Sequence, residues 1–126
     1  MTCILDTSAL LAVILDEPGI ERVRPHLGSA QISVVNLCEV YTRLFEAGVP
    51  RDAAEREIAR FELRVRSFRE THAIETAMLR SQTRHLGLSM GDRACLSLAK
   101  INGLPILTAD RAWAQLDIGV DIRLIR

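Results

Sequence analysis

The chain has 126 residues, of which 48% are hydrophobic and 25% are charged. This length and composition are typical of one folded domain and exclude a disordered chain. Sixteen basic residues balance sixteen acidic ones, so the net charge alone gives no indication of a nucleic-acid partner.

Short apolar runs alternate with amphipathic runs along the chain, which predicts strands and helices in turn. The predicted strands are Cys3–Leu5, Ile32–Val35, Leu63–Ser67, Pro105–Thr108 and Asp121–Ile125. The predicted helices are Ser8–Leu15, Ile20–Leu27 (kinked or ended near Pro25), Leu37–Ala47, Arg51–Phe61, Glu70–Leu86, Asp92–Ile101 and Ala112–Leu116. Because the strands are short and apolar on both sides, this order predicts a single α/β domain, residues 1–126, with a parallel sheet covered by helices on both faces.

Four acidic residues stand where predicted helices begin. Asp6 comes directly after a predicted strand, Asp110 comes two residues after another, and Asp92 opens its helix. Glu39 lies in the first turn of another helix, three residues after Asn36. Any one of these acids could simply cap its helix, and Asn36 with Glu39 has the spacing of a capping box.

The acids matter more as a set. In a parallel sheet the carboxyl ends of all strands lie along one edge, so Asp6, Glu39 and Asp110 can converge there, whereas Asp92 must be brought in by packing. Carboxylates held close together in a partly buried site repel one another strongly. A cation or a proton must therefore neutralise them, and oxygen ligands without His or Cys favour Mg²⁺ or Mn²⁺ over zinc.

The motifs around these acids resemble those of a known family. The stretches ILDTSALLAVILDEPG, ISVVNLCEV, LSMGDRACLSLAK and LPILTAD occur in this order. Together they resemble PIN-domain ribonucleases, and most closely the VapC toxins of bacterial toxin–antitoxin pairs. The likeness covers the whole chain, although residues 50–70 match only in pattern and Asn36 stands where the family more often has Ser or Thr. The four acidic positions of the family are filled by Asp6, Glu39, Asp92 and Asp110.

The resemblance implies a PIN-like three-layer α/β/α fold with a five-stranded parallel sheet, and the activity of a Mg²⁺-dependent endoribonuclease in which Mn²⁺ can substitute. In such an enzyme, carboxylates bind one or two metal ions that activate water for attack on phosphorus, which leaves 5′-phosphate and 3′-hydroxyl ends. We expect Asp6 and Asp92 to be the main direct ligands. We expect Glu39 and Asp110 to ligate directly, to ligate through water, or to orient the attacking water.

Hydroxyls and arginines beside these acids are further candidates. Thr7, Ser8 and Thr108 are expected to hydrogen-bond the ligating carboxylates, or only to stabilise caps and turns. Arg93 and Arg111 directly follow two of the acids and are candidates for binding RNA phosphates. The alternative is that both arginines are solvated residues at helix starts.

Apolar residues are numerous on the first four predicted helices. The resemblance implies that these helices form a groove for the amphipathic carboxyl-terminal segment of an antitoxin, whose basic side chain would reach the acids. The same surplus, with the resemblance, predicts a homodimer. These residues could instead only pack the core and a dimer interface.

Other functional classes fit the sequence less well. A metal-binding receiver or phosphoacceptor domain needs a lysine near the acids, and the one lysine, Lys100, falls at a helix end. A phosphotransferring hydrolase would have a second aspartate two residues after Asp6, where Ser8 stands. A non-catalytic interaction protein that keeps the fold has no reason to retain four mutually repelling acids.

The compartment follows from weaker signals. The longest apolar run, residues 9–15, is too short to cross a membrane, and the start MTCILD lacks the basic residues of a signal peptide. The three cysteines are not paired in spacing, which indicates reduced thiols rather than disulfides or a zinc site. We therefore expect a cytoplasmic protein.

Overall fold

The computed structural model describes residues 1–126 and contains five short strands. They are β1 (Ile4–Leu5), β2 (Gln31–Ser33), β3 (Arg64–Arg66), β4 (Ile106–Thr108) and β5 (Ile122–Leu124). They form one sheet in the order β3-β2-β1-β4-β5, and every neighbouring pair is parallel. The chain builds outward from β1 first to one side and then to the other. The strand order therefore reverses beside β1, which is where parallel sheets of this kind bind ligands.

Helices cover both faces of this sheet. The α-helices are α1 (Thr7–Ile14), α2 (Ile20–Val23), α3 (Val34–Glu46), α4 (Arg51–Ala59), α5 (Glu70–Thr83) and α6 (Met90–Asn102). Three 3-10 helices span Arg24–His26, Arg84–Leu86 and Arg111–Gln115. The predicted three-layer fold with a parallel five-stranded sheet is confirmed. None of the helices combines the length and the apolar character that a membrane span requires.

Two hydrophobic cores lie on opposite sides of the sheet. Consecutive strand residues point to opposite faces, so Leu5 packs in the core under α1, α3 and α4 while Ile4 packs in the core under α5 and α6. The first core takes up most of the apolar residues that suggested a partner groove. Those buried there are Ala9, Leu10, Leu11, Val23, Val40, Leu44, Ala54 and Ile58. The surface available to a partner is therefore smaller than the sequence indicated.

Helices α3 and α6 begin at least two residues earlier than predicted, because a serine precedes each of them. The Ser33 hydroxyl accepts a hydrogen bond from the Val35 N–H at 3.2 Å and caps α3. The Ser89 hydroxyl accepts one from the Asp92 N–H at 3.2 Å and caps α6. Asn36 and Asp92 therefore lie inside the first helical turn rather than at its cap.

Proline and the sheet edge explain other boundaries. The predicted helix Ile20–Leu27 divides into α2 and a 3-10 turn that contains Pro25, since proline cannot donate the backbone hydrogen bond that would continue an α-helix. The strand predicted at Leu63–Ser67 is present as β3, but all three of its residues are exposed because it is an edge strand. Its Arg-Val-Arg sequence suits that position.

Candidate functional site

A pocket of about 350 Å³ opens at the carboxyl edge of the sheet. The structure brings all four predicted acids to its wall: Asp6, Glu39, Asp92 and Asp110. The remaining lining residues are Thr7, Ser8, Leu11, Leu15, Glu17, Arg43 and Arg126. The acids thus share one cavity, as the strand-end argument predicts, and their metal-binding and catalytic roles stay predictions.

Asp6 is held from three directions. It follows β1 and caps α1, where its Oδ1 accepts the Ala9 N–H at 2.8 Å and the Ser8 hydroxyl at 2.7 Å. Its Oδ2 accepts the Thr108 hydroxyl at 2.5 Å. The carboxylate is only 4% exposed, so its oxygens are fixed in place at the bottom of the pocket.

Glu39 is positioned by side chains from two helices. Its Oε1 accepts the Thr7 hydroxyl at 2.7 Å and the Asn36 amide at 3.0 Å. The same Asn36 amide donates to the Gly91 carbonyl at 3.1 Å, which ties α3 to the first turn of α6. An added Cβ at Gly91 would lie 2.5–2.6 Å from the Glu39 carboxylate, so glycine is what allows α6 to approach this closely.

Asp92 combines capping with a place in the pocket. Its Oδ2 accepts the Ser89 N–H at 3.0 Å, while its own N–H donates to the Ser89 hydroxyl. This is a reciprocal capping box. The helix start holds the carboxylate at the pocket wall, so the capping and the site interpretations of Asp92 are compatible.

Asp110 and the hydroxyl network complete the wall. The Asp110 Oδ1 accepts the Ala112 N–H at 3.0 Å, and its own N–H donates to the Thr108 hydroxyl at 3.0 Å. The Ser8 hydroxyl accepts the Ala109 N–H at 2.9 Å while it donates to Asp6. The predicted hydrogen bonds from hydroxyls to carboxylates are therefore present for Thr7, Ser8 and Thr108.

Burial and repulsion act on the proton affinities of the site. Burial raises the pKa of Asp6 to about 6, although hydrogen bonds from Thr108, Ser8 and Ala9 oppose the rise. Burial also raises the pKa of Asp92, with repulsion from Glu39 and Asp110 adding to it and the Ser89 hydrogen bonds opposing it. Keeping Asp6 and Asp92 ionised therefore costs free energy, and a bound cation would offset that cost.

The donor set fits a hard divalent cation in its chemistry. Every lining group that could ligate a metal is an oxygen, since no His or Cys lines this pocket, and this is the set that Mg²⁺ and Mn²⁺ prefer. The carboxylates are spread along the wall, and no group of three or more His, Cys, Asp and Glu side chains is gathered closely enough to hold an ion as it stands. Ion binding would therefore draw the side chains inward.

The arginines of the pocket are not the ones that the sequence suggested. Neither Arg93 nor Arg111 lines it. The Arg93 guanidinium turns toward α5 and donates to the Thr76 carbonyl at 2.8 Å, and Arg111 donates to the Arg126 carbonyl at 3.4 Å. The position of a residue next to an acid in sequence therefore did not place its side chain at the pocket.

Arg43 and Arg126 bring positive charge to the pocket instead. The guanidinium of Arg126 donates to the Pro18 carbonyl at 2.9 Å and lies 4.0 Å from the Glu17 carboxylate. Arg43 follows Glu39 by one helical turn, and this i, i+4 spacing is the sequence signal that could have identified it. Nothing comparable marks Arg126.

The structure also bears on the receiver-like alternative. Lys100 forms a salt bridge with Glu75 at 3.0 Å near the far end of α6 and does not line the acidic pocket. A phosphoacceptor site needs its lysine beside the acids, so this arrangement disfavours that alternative.

Solved structures share this fold over nearly the whole chain. VapBC2 from Rickettsia felis bound to a promoter DNA fragment is similar with a TM-score of 0.78 at 16% identity, covering 98% of each chain. DNA-bound VapBC from Salmonella typhimurium gives 0.70 at 22% identity, over 100% of this chain and 99% of that one. VapBC-5 from Mycobacterium tuberculosis, of a toxin–antitoxin family, gives 0.61 at 23%, over 99% and 98%.

Comparison of the sequence with known proteins identifies the family of the chain. No curated protein matches the chain. The family model described as PIN domain matches residues 3–119, a span that contains all four acids of the pocket. The chain therefore belongs to the PIN domain family.

Proposed function

We propose that this PIN domain is a VapC-type toxin of a toxin–antitoxin pair and acts in the cytoplasm as a metal-dependent endoribonuclease. The observation that carries the proposal is the pocket with four carboxylates and no His or Cys. The likeness to VapBC structures supports the toxin assignment at the level of the fold.

Asp6 and Asp92 would be the main ligands of Mg²⁺ or Mn²⁺, and Glu39 and Asp110 would complete the set directly or through water. When bound, the ion would lower the pKa of water and neutralise charge on the phosphate under attack. Burial raises the pKa of Asp6 to about 6, and a bound cation would lower it and favour the ionised form that ligates.

Side chains beside the acids hold the ligating oxygens in position. The hydroxyls of Thr7, Ser8 and Thr108 hold oxygens of the Glu39 and Asp6 carboxylates at the pocket wall. The Ser8 hydroxyl donates to Asp6 and accepts the Ala109 N–H, and since Asp6 would be bound to the metal, we assign Ser8 to positioning and not to nucleophilic attack. Water is then the nucleophile, and hydrolysis leaves 5′-phosphate and 3′-hydroxyl ends.

RNA cleavage is the first test. The purified chain, free of any partner, is expected to cut a labelled single-stranded RNA in Mg²⁺ or Mn²⁺, because the carboxylates require a hard cation. Excess EDTA should stop the reaction, and added Mg²⁺ should restore it. Gel analysis with a 5′-phosphate-dependent exonuclease identifies the product ends. Undiminished cleavage in EDTA would rule out the proposed mechanism, and no cleavage in either metal would favour the non-catalytic interaction protein.

An antitoxin is the proposed partner, and a surface groove supports it. Helices α3 and α4 form a groove of about 600 Å³, lined by Cys38, Tyr41, Thr42, Phe45, Arg51 and Glu55. Phe45 is 45% exposed and stacks on Tyr41 with ring centroids 5.7 Å apart. An amphipathic helix could bury this aromatic pair in the helix-in-groove mode.

The groove is continuous with the acidic pocket. A smaller cavity between them is lined by Cys38 and Thr42 of the groove and by Thr7, Glu39 and Arg43 of the pocket. A helix in the groove could therefore extend a basic side chain to the carboxylates and displace the metal. We expect Arg rather than Lys, because its fork pairs with two carboxylate oxygens.

Phe45→Asp is expected to release the antitoxin while RNA cleavage stays at the wild-type rate, because Phe45 is exposed and outside the acidic pocket. Co-expression and pull-down measure the complex, which should be inactive as a nuclease. A complex that survives the substitution, or that still cuts RNA, would refute the groove.

A homodimer is also proposed, through another surface, and it supplies the matched control. Ile74 and Met78 lie one turn apart on α5 and are 56% and 60% exposed. Met78→Asp is expected to make the protein monomeric by light scattering while the antitoxin is retained. Phe45→Asp is expected to do the opposite. If wild-type protein is monomeric at micromolar concentration, the homodimer is wrong.

A further inference from the structure

A second cavity, of about 410 Å³, lies beside the edge strand β3. It is lined by Val65, Arg66, Ser67, Arg69, His72, Leu98, Ile101 and Asn102. None of these residues lines the acidic pocket. The proposed nuclease reaction uses none of them, so the cavity needs its own explanation.

The cavity concentrates positive charge that nothing in the chain neutralises. Arg66 and Arg69 both line it, and no acidic residue does. Neither arginine takes part in any of the six salt bridges of the protein. In a chain with as many acids as bases, two unpaired guanidinium groups at one cavity indicate an anionic ligand, and their planar forks suit phosphate.

His72 adds a donor of fixed direction. Its Nδ1 accepts the Arg69 N–H at 3.0 Å, so in the neutral ring the proton is on Nε2. The ring of Phe68 packs against it with centroids 6.0 Å apart. These two contacts hold the imidazole so that Nε2 is free to donate to a ligand.

Apolar side chains also line the cavity. Val65 is 48% exposed and Ile101 is 43% exposed, and the almost fully buried Leu98 of α6 lines the cavity beside them. Two large apolar side chains left in solvent at the same cavity as two free arginines favour a ligand with an apolar face and an anionic group. A nucleotide has both, and the volume lies in the usual range for small-molecule sites.

We propose that this cavity binds one nucleotide unit, with its phosphate on Arg66, Arg69 and His72 and its base against Val65, Leu98 and Ile101. Arg66 of β3 pairs in register with Ser33 of β2, and Ser33 caps α3, the helix that carries Glu39. The cavity at β3 therefore lies two strand spacings, about 10 Å, outward from β1. A nucleotide that belongs to an RNA strand would make this a binding site for sequence flanking the cleaved bond. Binding of an RNA strand here rests on the proposed nuclease function, whereas binding of a free nucleotide does not depend on it.

Binding is measured on the full chain in EDTA, where the acidic pocket lacks metal and repels phosphate. The probes are 5′-AMP and a fluorescein-labelled six-nucleotide RNA. Arg66→Gln with Arg69→Gln is expected to weaken binding at least about tenfold and to reduce the salt dependence. The matched control, Arg80→Gln with Arg84→Gln, removes the same charge from exposed positions of α5 and the turn after it and should change affinity less than about twofold.

Nuclear magnetic resonance locates the site without relying on a variant. Added 5′-AMP should shift the amide resonances of residues 65–72 and of Asn102, and leave those of residues 6–9 unchanged. Tighter binding of the RNA than of 5′-AMP identifies a strand as the source, and equal binding identifies a free nucleotide.

Three results would overturn the site: no saturable binding of either probe, equal losses in the two double variants, or shifts confined to the acidic pocket. Cleavage in Mg²⁺ is scored separately. Nucleotide binding without cleavage would contradict the proposed nuclease function and support the nucleotide site.

Discussion

Asp6→Asn is expected to lower RNA cleavage at least about 100-fold while the chain stays folded. Asparagine keeps the shape of the side chain and can still accept the Ala9 N–H and the Ser8 hydroxyl through its oxygen. It loses the charge that a divalent cation requires. Initial rates on labelled RNA, with circular dichroism as the test of folding, measure the effect. The control is Asp117→Asn, since Asp117 is exposed and outside the pocket.

The same substitution should stabilise the metal-free protein. The pKa of Asp6 is raised from 3.8 to about 6, so the folded state binds the proton more tightly than the unfolded state. The contribution of Asp6 to folding stability is therefore fully present below about pH 4. It is lost as the pH rises from there to about 6, by roughly 3 kcal/mol. Asparagine escapes this loss but gives up an acceptor for Thr108, worth about 1 kcal/mol.

Thermal unfolding in EDTA checks the sign. At neutral pH, Asp6→Asn should melt several degrees above wild type. At about pH 4 the difference should vanish or reverse, because Asp6 is then protonated in the folded state and partly protonated in the unfolded state, so most of the lost stability is recovered. Wild-type turnover by the variant would show that Asp6 is only a helix cap. An unchanged difference at both pH values would show that its ionisation does not destabilise the fold.

Gly91→Ala is the second substitution with a large expected effect. The new Cβ would stand 2.5–2.6 Å from the Glu39 carboxylate, which Thr7 and Asn36 hold in place. Either the carboxylate or the first turn of α6 must move, and both carry groups of the acidic pocket. We expect cleavage to fall by about 10–100-fold. Stability should change little, because alanine favours a helix by about 1 kcal/mol over glycine and so offsets part of the overpacking.

A double-mutant cycle isolates the cause. Glu39→Ala removes the clashing carboxylate, so adding Gly91→Ala to it should cost no further activity, whereas independent effects would multiply. The thermal shift produced by Mn²⁺ gives a second readout, and it should shrink in Gly91→Ala. If that variant cleaves RNA like the wild type, the close approach of α6 to Glu39 has no functional role.

Strand ends were the part of the site that the sequence could predict. Asp6 and Asp110 each follow an apolar run that reads as a buried strand, and parallel topology alone then places them on one edge. Asp92 and Glu39 needed more, since their positions depend on how closely α6 approaches α3. That distance is set by the missing side chain of Gly91 and the amide of Asn36, whose contacts span 55 residues of sequence and leave no local pattern.

Helix starts and arginines show where local reasoning fails. Asn36 and Ser33 are both good caps by residue type, and only the strand length decides that Ser33 is used. Arg93 adjoins Asp92 in sequence, but successive helical residues point about 100° apart, so its guanidinium contacts α5 instead of the pocket. Arg43 is four residues from Glu39, shares its helix face and lines the pocket.

The central strand also sets when the acidic pocket can form during synthesis of the chain. β1 pairs with β4, and Asp6 receives its hydrogen bond from Thr108, a contact that spans 102 residues. On a ribosome that adds about 5–20 residues per second, the first acid waits several seconds for the strand that orients it and for Asp110. A nascent chain therefore carries an incomplete pocket until nearly the whole domain has emerged, so the proposed nuclease could act only once the chain is almost complete.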